Sequence, residues 1–188
     1  LIDAGIRSFK IEGRLKDLAY VKNITAHYRT RLDAIIDSHP QYRRAASGRS
    51  TFSFTPQPEK TFNRGYTDYF AGGRQDDIGA FDSPAFVGTV VGEVTEIGAG
   101  WITIRSSETF HNGDGLCFHD AAGEVQGMRV NRVDGQRLHL AQMPADLSLG
   151  TTLFRNRDQA FERALEKDSA QRLIAVQKYV KLGGNGDV

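Results

Sequence analysis

From Phe86 onward the chain breaks into short segments separated by glycine-bearing turns, and no other feature limits its possible folds as much. The segments 86–97, 101–105, 115–119, 124–133, 137–141 and 151–155 are divided by Gly98-Ala99-Gly100, Asn112-Gly113-Asp114-Gly115, Ala122-Gly123, Asp134-Gly135 and Leu149-Gly150. Turn signals at this spacing mark an all-β unit. Trp101-Ile102-Thr103-Ile104-Arg105 and Arg137-Leu138-His139-Leu140 alternate in polarity, so one face of each packs inward. Six short strands leave two exposed edges unless the sheet closes, which favours a small closed barrel over a sandwich.

The first 40 residues follow a different pattern. Ser8-Phe9-Lys10-Ile11-Glu12 alternates as a short strand that Gly13 ends. Asp17 then caps a helix. Leu18, Val21, Ile24, Tyr28, Leu32 and Ile35 form one apolar stripe along it, and Pro40 marks its end. A lone strand–helix pair has no sheet neighbours and cannot make a domain. With Leu1 in place of an initiator Met, the expectation is an internal piece of a longer protein.

The organisation expected is therefore a mainly β chain with flanking α. It has a strand–helix piece at 1–40, a linker and aromatic loop at 41–85, a small barrel at 86–156, and a helix with the start of a further segment at 157–188. Asn156 is the expected cap of that last helix, with Gln159 as its capping-box partner. Residues 172–182 read equally as helix or strand, and a strand there would lack a partner in this chain.

Charge separates the two ends. Residues 1–45 hold nine Lys/Arg against five Asp/Glu, a net +4, whereas residues 86–156 hold five Arg against eight acids, a net −3. The whole chain is nearly balanced at +1, which argues against a dedicated nucleic-acid clamp. Phosphate affinity needs cations, so the N-terminal piece is the better place for RNA and the barrel for a protein contact. No segment reaches the length of a membrane span. A single cysteine, Cys117, forms no internal disulfide and builds no cysteine-rich metal site alone.

Three constellations can carry chemistry. Period two puts Lys10 and Glu12 on one face with Arg14 just beyond. At the mouth of a parallel barrel these would bind anions and serve acid–base work; otherwise they are a strand-end ion pair. Arg64, Tyr66 and Asp68, with Tyr69, form an aromatic and charged loop of the kind that stacks bases and grips phosphate, or that pins itself to a core. Cys117 and His119 stand two apart, short of the ligand number of a zinc site, and Asn112–Gly115 reads as a turn. No metal site is expected.

The stretch AGIRSFKIEGRLKDLAYVKNITAHYR (4–29) and the stretch FNRGYTDYFAGGR (62–74) resemble segments of the collagenase-like peptidases of family U32. SPAFVGTVVGEV (83–94), NGDGLCF (112–118) and GTTLFRNRD (150–158) are similar to the barrel region of its long, multi-domain members. The resemblance implies a TIM-like catalytic α/β barrel whose last strand–helix piece is residues 1–38, followed by a barrel like those of translation factors. It also implies a cytoplasmic enzyme of the type that hydroxylates a cytidine in large-subunit ribosomal RNA, with an iron–sulfur cluster on cysteines absent from this chain. The chain by itself is then inactive and without cofactor, and its partners are RNA or the ribosome. A true collagenase-like peptidase and a stand-alone protein-binding barrel are the alternative readings.

Overall fold

The computed structural model describes residues 1–13, 15–76, 78–79 and 86–180. Asp17 caps α1 (Leu18–Ser38) as expected, its carboxylate accepting the Tyr20 N–H at 2.7 Å. The helix stops two residues short of Pro40.

Strands β2 (Thr89–Gly98), β3 (Trp101–Arg105), β4 (Gly115–His119), β5 (Val125–Asp134), β6 (Arg137–Leu140) and β7 (Thr152–Arg157) close into an antiparallel barrel in the order β2-β3-β6-β5-β4-β7. Each falls on one of the six segments marked out by the glycine-bearing turns, because turn chemistry is a local signal. Ile102, Leu116, Phe118, Val130, Leu138 and Leu153 fill the interior and are essentially inaccessible. Bulges bend the sheet so that it can close, one of them between Val90 and Gly92 on β2. Gly92 sits there at φ +144°, and a Cβ at this position would stand 2.2 Å from the Arg105 carbonyl oxygen.

Several expectations are corrected. Residues 8–12 form no strand. They run without a ladder partner among the described residues, and an extended segment is a strand only when a neighbour pairs with its N–H and C=O groups. The segment 41–58 is not wholly linker: Arg49–Phe52 is a strand, β1. It pairs antiparallel with β8 (Ala170–Leu173), Arg49 opposite Leu173. A strand near 172 therefore does have a partner in this chain. Residues 174–180 have no regular structure, and 181–182 lie outside the described residues.

Helix α2 (Gln159–Glu166) is capped by Asp158 rather than Asn156. The Asp158 carboxylate accepts the Phe161 N–H at 3.0 Å, the three-residue reach of an N-cap.

The apolar stripe of α1 is only partly its buried face. Of its members Ile24 is buried and Leu32 half-buried, but Leu18, Val21, Tyr28 and Ile35 are exposed, while Asn23 and Ala26 outside the stripe are buried. Hydrogen bonds decide this orientation. Asn23 donates to Gln57 O at 2.7 Å and to Thr61 Oγ1 at 3.0 Å, and accepts the Gln57 N–H at 2.8 Å. Lys22 Nζ bonds Leu165 O at 2.6 Å and Lys167 O at 2.7 Å. These bonds fasten α1 to the end of α2 and to the 3₁₀ turn Pro58–Lys60.

Candidate functional site

Two stretches singled out in the sequence meet beside the first half of α1. Tyr20 on its first turn donates to Glu12 O at 3.2 Å and holds the 10–13 segment there. Lys16 Nζ lies 3.1 Å from the Phe62 ring centroid, and the Arg64 guanidinium carbon lies 5.3 Å from the same centroid. Two cations on one ring are each drawn to its quadrupole. Phe62 is also braced by Phe86, 6.3 Å away between centroids.

Tyr66 is 66% exposed. Burial first, then the neighbouring Glu59, Tyr28 and Tyr20, hold its hydroxyl above the ordinary phenol value, so it stays a neutral donor throughout the working pH range. Asp68 turns away from this group and accepts from Gln75 Nε2 at 2.9 Å.

Lys10 and Glu12 pair with each other at 2.7 Å in open solvent, which is worth little to stability. Arg14, the third member of that set, lies outside the described residues. The structure thus joins Arg64 and Lys16 on one ring, puts Tyr66 near Tyr20 and Tyr28, and leaves Lys10, Glu12 and Asp68 in other pairings. Lys16 takes one face of the half-buried Phe62 ring, so the groups here that can meet RNA are the cations Lys16 and Arg64, for a phosphate, and the exposed Tyr66 ring, for a base.

Nucleophilic chemistry is poorly served. Ser38 Oγ lies 2.9 Å from His39 Nδ1, but that nitrogen is also 2.9 Å from Ile35 O, which can only accept. Nδ1 therefore carries the proton and cannot take one from Ser38. Cys117 is buried, its thiol 3.2 Å from Val87 O, and burial pushes it up to about 11. The thiolate that nucleophilic or metal chemistry requires is thereby suppressed. His119 is exposed and bonds Gly123 O, so the two do not act together.

The most organised polar cluster was invisible in the sequence. Arg155, buried on β7, donates to Thr109 O at 2.8 Å and Glu108 Oε2 at 2.6 Å, with Asp114 at 3.7 Å and Asp158 at 3.6 Å. Asp114, read as part of a plain turn, is fully buried and accepts the N–H groups of His111 and Gln159. Lys60 Nζ donates to Asp158 at 2.7 Å. Burial alone would raise the Asp158 carboxyl, but Lys60, the Phe161 N–H and Arg155 together hold it below the usual carboxylate range.

His111, Asp114 and Asp158 bring ligand atoms within 4.8 Å of one another. Two resident cations already neutralise these carboxylates, so the cluster is a clamp between barrel, α2 and the 3₁₀ turn. The signal that could have revealed it is Arg155 falling on the same strand face as Leu153, where a buried guanidinium demands buried acceptors.

Residues 1–80 match the model of Peptidase family U32. The chain is 50% identical, over 98% of its length, to a protein of Escherichia coli named 23S rRNA 5-hydroxycytidine C2501 synthase, of which it covers 29%. It is 29% identical, over 74% of its length, to a protein of Porphyromonas gingivalis named collagenase, of which it covers 33%. The chain thus spans about a third of the length of these curated relatives. No solved structure matches it. Among the described residues no helix is long and apolar enough to cross a membrane.

Proposed function

We propose, on the premise that the chain belongs to Peptidase family U32 through residues 1–80, that it is part of a cytoplasmic enzyme that forms 5-hydroxycytidine in large-subunit ribosomal RNA. In this reading its share of the work is to hold RNA. The observation that carries the reading is 50% identity over 98% of the chain to a protein named for that reaction, against 29% over 74% for one named collagenase. The Lys16–Phe62–Arg64 stack supports it, since it gathers two cations beside the exposed Tyr66 ring. Neither the Ser38–His39 pair nor Cys117, among the described residues of this chain, is set up as a nucleophile.

An iron–sulfur cluster belongs to the same reading, and the residues of this chain do not fit one. Clusters are held by several thiolates. This chain has one cysteine, buried and with its thiol pushed up to about 11. Any cluster in the enzyme rests on other cysteines, and no step is assigned to it here.

The test is a deletion strain. Mass spectrometry of its 23S ribosomal RNA should show 5-hydroxycytidine lost, and restored by the intact gene. An unchanged level of the modified nucleoside in the deletion would overturn the reading.

A further inference from the structure

The second half of α1 borders a cleft of about 580 Å³. Its walls carry six arginines: Arg7 before the helix, Arg29 on it, Arg43 and Arg44 after it, Arg49 at the start of β1 and Arg172 on β8. Among the described residues no lysine lines it. Ile2, Phe9, Leu32 and Ile36 supply apolar surface between the guanidinium groups.

Two aspartates order the arginines without cancelling them. Asp33 takes Arg29, in a short ion pair, and Arg44 at 2.8 Å. Asp37 takes Arg44 at 3.0 Å and Arg49 at 3.7 Å. The Arg44 hydrogen bond, the largest influence on it, holds the Asp37 carboxyl below its ordinary value, so these pairs persist at neutral pH. The N-terminal wall is tied in place by Tyr42, which hydrogen-bonds Asp3, and by Arg7, which donates to Ile2 O at 3.2 Å. Positive charge remains in excess. Arg43 is exposed and meets no carboxylate among the described ion pairs, and Arg29 Nε, buried in the wall, finds no acceptor.

We infer that this cleft is a binding site for a single-stranded RNA segment, with phosphates on the arginines and a base against Phe9 and the aliphatic wall; the inference rests on the RNA reading above. Three features select this occupant. The volume lies within the range of pockets that take one small-molecule-sized group, such as a nucleotide. Arginine alone gives both a bidentate fork for phosphate and a flat face for stacking. An acidic peptide would need no exposed aromatic side chain, whereas Phe9 is 46% exposed in the wall.

The test is fluorescence anisotropy of the full 188-residue chain with a short labelled single-stranded RNA, across a salt series. Arg43→Ala and Arg49→Ala are the variants, because neither residue makes a close buried contact; circular dichroism checks their fold. Arg129→Ala, on the exposed side of β5, is the control. Each cleft variant should weaken binding about fivefold and lower the slope of log affinity against log salt by about 0.7, the value for one phosphate contact on a single strand. The control should leave both unchanged.

RNA binding that survives in Arg43→Ala/Arg49→Ala with the same salt slope would overturn the cleft while leaving the deletion-strain result untouched. Displacement of the RNA by polyglutamate at equal charge concentration would assign the cleft to acidic protein segments and also overturn it. Loss of 5-hydroxycytidine in the deletion strain with no RNA bound by this chain would sink the cleft alone.

Discussion

Lys60 Nζ sits 2.7 Å from Asp158 Oδ2, joining the 3₁₀ turn before the aromatic loop to the N-cap of α2. Arg155, on the other side of Asp158 at 3.6 Å, is buried in the barrel wall. One carboxylate therefore serves as helix cap, as ion-pair partner to two elements, and as the hinge between barrel and helices.

Asp158→Asn keeps a capping oxygen but removes the charge, and it leaves Lys60 and Arg155 facing a neutral group. Breaking a largely buried pair by removing one partner costs about 3 kcal/mol, so Tm at pH 7 should fall by several degrees. The sign of the pH dependence follows from the lowered Asp158 value. Its stabilisation is present above the unfolded carboxylate value of about 3.9 and is lost as pH falls through the lower folded value. Thermal melts of wild type and variant should therefore begin to converge below about pH 4 and meet only once pH is below the lowered folded value. A gap of the same size at pH 3 would mean that the charge is not the source of the effect.

Gly92 makes the closing bulge of β2 possible. A methyl there would meet the Arg105 carbonyl oxygen at 2.2 Å, in a backbone conformation at φ +144° that L-residues avoid. Gly127 on β5 has open space where its Cβ would be. Gly92→Ala should therefore destabilise the chain by more than about 1 kcal/mol, and Gly127→Ala by far less. Urea unfolding of the two variants checks this, and equal midpoints would contradict the role given to the bulge.

The barrel was legible because each of its strands declares itself locally. Trp101–Arg105 alternates, Gly98-Ala99-Gly100 turns the chain before it, and glycine-bearing turns bound the other strands even where, as in Gly115–His119, the polarity does not alternate. The β1–β8 pair was not legible. Arg49-Ser50-Thr51-Phe52 and Ala170-Gln171-Arg172-Leu173 carry no period that would announce a strand, and they become strands only by meeting each other from the two ends of the chain. The buried face of α1 was missed for a related reason. Hydropathy chose Leu18, Val21 and Tyr28, but the contacts present in this chain are made by Asn23 and Lys22, through hydrogen bonds to Gln57, Thr61, Leu165 and Lys167. Of the candidate site, Arg64 and Tyr66 were legible from composition, while Lys16 joined them only through the fold.

Phe62 is the centre of the aromatic–cationic stack, so its removal should cost RNA affinity without disturbing the barrel. The ring seats Lys16 and Arg64, and losing cation–π contacts of about 0.5–1 kcal/mol sets an expected loss of about threefold for Phe62→Ala. Phe62→Tyr keeps the ring face and should bind nearly as wild type. Anisotropy with the same single-stranded RNA reads both, and a Phe62→Ala chain that binds normally would show that the ring only braces the loop.

Cys117 gives a readout of barrel opening. Its thiol is buried among β4 and its neighbours, donates to Val87 O, and is pushed up to about 11, so very little thiolate exists at pH 8. The native chain should therefore react with a thiol reagent far more slowly than a free cysteine. The rate should rise steeply only where urea opens the barrel. Because the thiol is a weak donor in an apolar setting, Cys117→Ser places a stronger polar group there and should cost about 1–2 kcal/mol, whereas Cys117→Ala should cost less. Rapid labelling of the native chain at pH 8 would mean that the β4–β7 seam opens without unfolding, and the closed barrel would then have a gate at that edge.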